Sequence, residues 1–131
     1  MCKVFLSHSY PDKPVTNLLR GWESDLDAQF IVPEGAEPLR NGHQLEEGVS
    51  HQIEESDCML VLVGDRTFRS EAVAREIEHG RRLDLPIIAV KTSPGNVTPK
   101  SLYGANAHWA REFTVRELGR ALGAGRLAKV G

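Results

Sequence analysis

Apolar residues fall along this chain in short blocks of two kinds. KVFLS (Lys3 to Ser7), AQFIV (Ala28 to Val32), CMLVLV (Cys58 to Val63) and PIIAV (Pro86 to Val90) are compact runs rich in branched and aromatic side chains. Runs of that length read as buried strands. CMLVLV has no polar alternation, which marks a strand covered on both faces inside a parallel sheet. Between the runs the spacing changes to that of helices. Val15, Leu18, Leu19, Trp22 and Leu26 form one amphipathic stripe, and Leu45, Val49 and Ile53 a second that ends near Ser56. Asp12 is placed to cap the first helix, with Pro14 in its first turn. Ser70 is placed to cap a third. Thr114 and Glu117 make a capping box for a last helix carrying Val115, Leu118 and Leu122. His108 to Phe113 (HWAREF) is expected as an edge strand. Pro33 to Gly42 (PEGAEPLRNG) and Thr92 to Ala107 read as loops.

Strands alternating with helices predict an α/β chain with a parallel sheet. Five strands in a chain of 131 residues favour a flavodoxin-like three-layer sandwich of order 2-1-3-4-5. A single domain over residues 1–125 is expected, with residues 126–131 as a flexible tail that closes the Gly-rich GAGRLAKVG stretch. In that strand order ligands bind outside the carboxyl ends of strands 1 and 3, where the winding reverses. Those ends are Ser7-His8-Ser9-Tyr10 and Gly64-Asp65-Arg66-Thr67.

Composition narrows the function classes. A formal net charge of −2 gives no electrostatic reason to expect nucleic acid or an anionic membrane surface as partner. No apolar stretch is long enough to span a bilayer, and MCKVFLSHS is too short and polar for a signal peptide. Cys2 and Cys58 suggest no disulfide framework, so a reduced, cytoplasmic setting is expected, with Cys58 in the core.

The acid that stands out lies in SEAVAREIEHG (Ser70 to Gly80). On a wheel of about 100° per residue, Val73, Ile77 and Gly80 face the sheet while Arg75, Glu78 and Arg82 face water. Glu76 falls on the flank of the apolar stripe, beside Ala72, Val73, Gly80 and Leu83, at the core boundary. Burial there raises a carboxyl pKa and a helix dipole lowers it, and the spacing leaves the balance open. A pairing with Arg75, Arg81 or a loop donor competes with a catalytic role. His8 is either a loop residue or a ligand contact, and Ser7 and Ser9 either cap the backbone or bind. Tyr10 packs over the loop or stacks on a ring. No metal site is expected, since His43, His51, His79 and His108 have no ligand spacing. There is no G-x-S-x-G elbow, G-x-G-x-x-G or P-loop. Strand 1 ends in Ser-His-Ser, where a receiver-type phosphorylation site would carry paired acids.

KVFLSHSYPDK and SDCMLVLVGDRTFRSEAVAREIEHGRRLDLPIIAV together resemble the TIR and TIR-like domains. The nearer likeness is to the bacterial TIR-like group (MTH538 type) that includes the NAD-processing subunit of Thoeris anti-phage systems. The likeness runs from Lys3 to Val90. It implies cleavage of NAD to nicotinamide and an ADP-ribose-derived signal, with NAD as substrate and no cofactor. It also implies a defence role, homotypic self-assembly and a separate effector protein. By motif the key glutamate is Glu76. The resemblance puts Ser7, His8, Ser9, Tyr10, Gly64, Asp65 and Ala72 around the ligand, and makes the Pro33 to Gly42 stretch the BB loop. Ala72 stands where the family often has Trp, which leaves base stacking to Tyr10, Phe68 or a neighbouring subunit. Two alternatives stay open. One is an enzyme similar to nucleoside 2-deoxyribosyltransferases, with Glu76 as nucleophile. The other is a TIR-like interaction module without catalysis.

Overall fold

The computed structural model describes residues 1–33 and 45–130. Five strands, β1 (Cys2–Ser7), β2 (Ala28–Ile31), β3 (Cys58–Val63), β4 (Ile87–Lys91) and β5 (His108–Trp109), form one sheet of order β2-β1-β3-β4-β5. Every pairing is parallel, with Val4 opposite both Phe30 and Cys58, Ser7 opposite Val61, and Val63 opposite Lys91. The expected α/β flavodoxin-like architecture is the observed one. The helices are α1 (Lys13–Arg20), α2 (Glu23–Leu26), α3 (Glu47–Glu54), α4 (Glu71–Arg82) and α5 (Val115–Val130).

The run CMLVLV explains the layering. Successive side chains of a strand point to opposite faces. Cys58, Leu60 and Leu62 enter a core with Leu19, Leu26, Leu118 and Leu122 of α1, α2 and α5. Met59, Val61 and Val63 enter a second core with Ile53, Val73 and Ile77 of α3 and α4. Both cores are lined by buried apolar side chains, so β3 needs no polar residue at either phase. The same period fixes β1: Val4 and Leu6 face the first core and Phe5 the second. Ser7 shares the phase of Phe5, and so points towards α4.

The first helical stripe is broken where one continuous helix was expected. α1 stops at Arg20, the Gly21 N–H returns to the carbonyls of Asn17 and Leu18, and α2 starts at Glu23. Leu19 and Leu26 are buried, while Leu18 is 50 % exposed. Trp22 holds the junction, its ring 5.3 Å from that of Phe113. Asp12 precedes α1 as expected but makes no side-chain cap bond, because its carboxylate is committed elsewhere.

The expected edge strand over His108 to Phe113 is only His108–Trp109. The Arg111 N–H goes instead to Glu117 Oε1 at 2.8 Å, turning the chain into α5. Thr114 Oγ1 accepts from the Glu117 N–H at 3.2 Å, but the Glu117 carboxylate serves Arg111 and Arg120 rather than closing the box on Thr114. The tail expected at residues 126–131 is helical through Val130, and Arg126 Nη2 donates to the carbonyls of Leu26 and Asp27. Pinning a helix end in this way supplies the anchor that a Gly-rich sequence does not advertise. Among the described residues no helix is long and apolar enough to cross a membrane.

Candidate functional site

The site grows from α4 and the carboxyl ends of β1 and β3. Ser70 caps α4, its Oγ accepting from the Val73 N–H at 3.2 Å. That fixes the helix start, and the 3.6-residue period then fixes its faces. Val73, Ile77 and Gly80 lie on the sheet. Gly80 allows close contact, since a Cβ there would come within 2.8 Å of Met59 Cε. Ala72 and Glu76, one turn apart, lie together on the flank, and both are buried.

Glu76 is deeper than the wheel implies, at 3 % exposed. Its Oε1 accepts a 2.6 Å hydrogen bond from Ser7 Oγ. Loss of water pushes the carboxyl up to about 8, and the Ser7 bond only partly offsets this. Burial therefore outweighs the Ser7 bond, and Glu76 is predominantly a neutral acid at pH 7. Neither arginine pairing is formed, and the donor to Glu76 is not a loop residue but Ser7, the last residue of β1. Arg75 pairs with Glu78 at 3.0 Å and Arg81 donates to the Gly104 carbonyl at 3.0 Å.

His8 is also buried. Its Nδ1 lies 3.3 Å from the Leu6 carbonyl, which can only accept, so the proton is on Nδ1. Nε2 is then a bare acceptor, buried and without a partner among the described residues. Burial holds the His8 pKa below its ordinary value, chiefly by excluding water. The imidazole is thus neutral, with one unsatisfied lone pair.

Ser9 is buried just beyond β1. Its Oγ donates to Asp12 Oδ2 at 2.9 Å. Thr67 Oγ1 lies 3.4 Å from the same oxygen, accepts from the Gly64 N–H at 2.8 Å, and stands 3.2 Å from the Leu62 carbonyl. Ser9, Asp12, Thr67 and Gly64 therefore lace the end of β1 to the end of β3. Gly64 is essential to this, because a Cβ would overlap both carboxylate oxygens of Asp12. Asp12 and Thr67 were missed as site residues. Their signal is the paired spacing, Ser9 to Asp12 and Gly64 to Thr67, at two strand ends that the strand order brings together.

Tyr10 and Asp65 lie exposed at the rim. The expected residues thus divide in four. Ser7, Ala72 and Glu76 share the wall between β1 and α4, Ser9 and Gly64 belong to the Asp12 lacing, Tyr10 and Asp65 face solvent, and His8 is buried apart from these groups. The expected BB loop, apart from Pro33, falls in or next to residues 34–44, which lie outside the described residues.

Residues 5–96 match the family described as Thoeris protein ThsB, TIR-like domain. No protein with a curated description matches. Among solved structures, the chain is similar to a 2-deoxyribosyltransferase from Bacillus psychrosaccharolyticus, with 14 % identity, TM-score 0.65 and 90 % of each chain covered. It is similar to a prokaryotic SEFIR domain, with 17 % identity, TM-score 0.56, and 93 % of this chain and 92 % of the other covered. It is also similar to the TIR domains of the activated Roq1 resistosome, with 15 % identity, TM-score 0.55, and 98 % and 74 % covered. These identities speak for the fold alone.

Proposed function

The chain belongs to the ThsB TIR-like domain family, and from that premise we propose that it is a NAD-processing enzyme whose working carboxyl is Glu76. The observation that supports this most is the burial of Glu76 against Ser7 at the reversal point of the sheet. A carboxyl removed from water costs stability, and among the described residues no cation is paired with it. Groups kept at such a cost concentrate where chemistry is done.

The chemistry is cleavage of the bond between nicotinamide and ribose. Nicotinamide in NAD is a cationic leaving group and departs as a neutral base, so no general acid is required. The ribose gains oxocarbenium character, and a fixed carboxylate stabilises that charge or holds the ribose hydroxyls. The resting carboxyl is neutral. An arriving pyridinium favours its ionised form, so substrate binding and proton release are coupled. Ser7 then orients the anion. The products are nicotinamide and an ADP-ribose-derived signal, serving prokaryotic anti-phage defence through self-assembly and a separate effector.

Incubation of the assembled protein with NAD, followed by chromatography, tests the reading. Nicotinamide release that Glu76→Gln abolishes supports it. No release under assembling conditions, or equal release by the variant, sinks it. A second reading draws on the same burial: Glu76 closes the core of an interaction module that does not cleave. That reading predicts no nicotinamide and no nucleotide-induced shift in melting.

A further inference from the structure

The opposite end of β1 carries a second cluster that the proposed site does not use. Cys2 opens β1 and Cys58 opens β3. Val4 is the residue opposite Cys58, so the two cysteines stand diagonally on adjacent strands. Their sulfurs are 4.0 Å apart. Cys58 is sealed in the core, while Cys2 is half-buried and reachable from solvent. Arg126 of α5, held by the carbonyls of Leu26 and Asp27, is near enough to act electrostatically on both. Its Nε–H is buried and has no hydrogen-bond partner among the described residues. Among the described residues the acid acting on the pair is Asp57, whose Oδ2 accepts from the Lys3 N–H at 2.8 Å. One thiol within reach of solvent, one sealed beside it and a guanidinium near both is the setting of a reactive cysteine with a resolving partner.

We propose that Cys2 and Cys58 form a peroxide-reactive dithiol, in which Cys2 attacks a hydroperoxide and Cys58 closes a disulfide between β1 and β3. The contact with Cys58 holds the Cys2 pKa below the usual thiol range, with Cys58 as the member that keeps its proton. The Arg126 guanidinium adds to this, while burial and Asp57 oppose it. The same contact, with burial, pushes Cys58 up, so Cys58 remains a protonated thiol until it is needed. The Cys2 thiolate attacks one peroxide oxygen. The O–O bond breaks, the leaving hydroxide takes a proton to become water, and Cys2 becomes a sulfenic acid. Cys58 then attacks that sulfur as it loses its proton, and the S–O bond breaks with release of a second water. Two thiols are oxidised by two electrons and hydrogen peroxide is reduced to two waters. An S–S bond of about 2.05 Å requires the sulfurs to close by roughly 2 Å. That motion falls at the exposed start of β1, next to Met1.

The test uses the intact, folded chain. Iodoacetamide labelling with peptide mapping is expected to modify Cys2 at pH 7 at least about tenfold faster than in the urea-unfolded chain. Cys58 is expected to stay protected. Stoichiometric hydrogen peroxide is expected to remove two hydrogens from the intact mass, with Cys2 joined to Cys58. In Cys58→Ala, dimedone is expected to trap a sulfenic acid on Cys2. Equal labelling of folded and unfolded chains, two thiols surviving peroxide, or Cys2 joined to Cys2 of a second chain would each overturn the proposal. The wild-type measurements decide it even if the variant fails to fold.

Discussion

Ser7 and Glu76, 69 positions apart in the chain, share a 2.6 Å hydrogen bond inside the core. The bond joins the last residue of β1 to the middle of α4, a polar contact between that strand and the helix layer at the carboxyl edge of the sheet. It satisfies one carboxyl oxygen without neutralising a charge. That leaves the carboxyl raised to about 8, a proton holder under conditions in which surface glutamates are anions.

Stability should therefore depend on pH through Glu76. The folded pKa of Glu76 exceeds its ordinary value of 4.5, so its contribution is fully present below pH 4.5 and is lost as pH rises towards 8. Glutamine is neutral throughout and still accepts from Ser7. In urea denaturation, Glu76→Gln is expected to match the parent near pH 4.5 and exceed it by a few kcal/mol at pH 8, each pKa unit being worth about 1.4 kcal/mol. The same difference at both pH values would mean that Glu76 is not a buried neutral acid.

Catalysis should rise with pH if the anion does the work. The kcat/KM profile for NAD reports the free protein, so it is expected to climb to a plateau with one ionisation near 8. The kcat profile should turn at lower pH, because the bound pyridinium favours the anion. Stopped-flow mixing with an uncleaved pyridinium analogue in weak buffer, with an indicator dye, is expected to show proton release at pH 7. Proton uptake would contradict the coupling.

Gly64→Ala should displace the Asp12 carboxylate from Ser9 and Thr67, costing about 1–3 kcal/mol. In an Asp12→Ala background the same substitution should cost much less, since no carboxylate remains to be overlapped. A double-mutant cycle by denaturation measures this coupling, and strict additivity would rule out the lacing.

Leu18 and Leu19 are neighbours with opposite fates. Leu18→Lys is expected to change stability by less than about 0.5 kcal/mol, whereas Leu19→Ala should cost about 2–5 kcal/mol. Thermal unfolding of the two variants distinguishes the broken α1–α2 arrangement from a continuous helix that uses both leucines.

These particulars show what the residue pattern carries and what it leaves out. CMLVLV announces a central strand because burial on both faces removes every polar phase, and β3 has those bounds. The position of Glu76 beside Ala72 was legible because helical geometry is local. Its depth was not, because depth depends on Ser7, which only the strand order brings across. Asp12 shows the same limit. Locally it reads as a helix cap, and the competing donors Ser9 and Thr67 decide otherwise. The shortened β5 and the helical end of α5 follow from Glu117 and Arg126, whose partners lie outside their own helix turns.

The strand order also sets a schedule for the chain as it is made. β1 emerges first but sits between β2 and β3, so half of its backbone groups wait until residue 61 has been synthesised. Glu76 reaches Ser7 later still, and Arg126 fastens Leu26 and Asp27 only after residue 126 has been added. Synthesis at about 5–20 residues per second keeps the early strand open for several seconds. The nascent chain thus presents an unpaired apolar strand edge before it can bury any glutamate, and that interval is when a chaperone would be needed most.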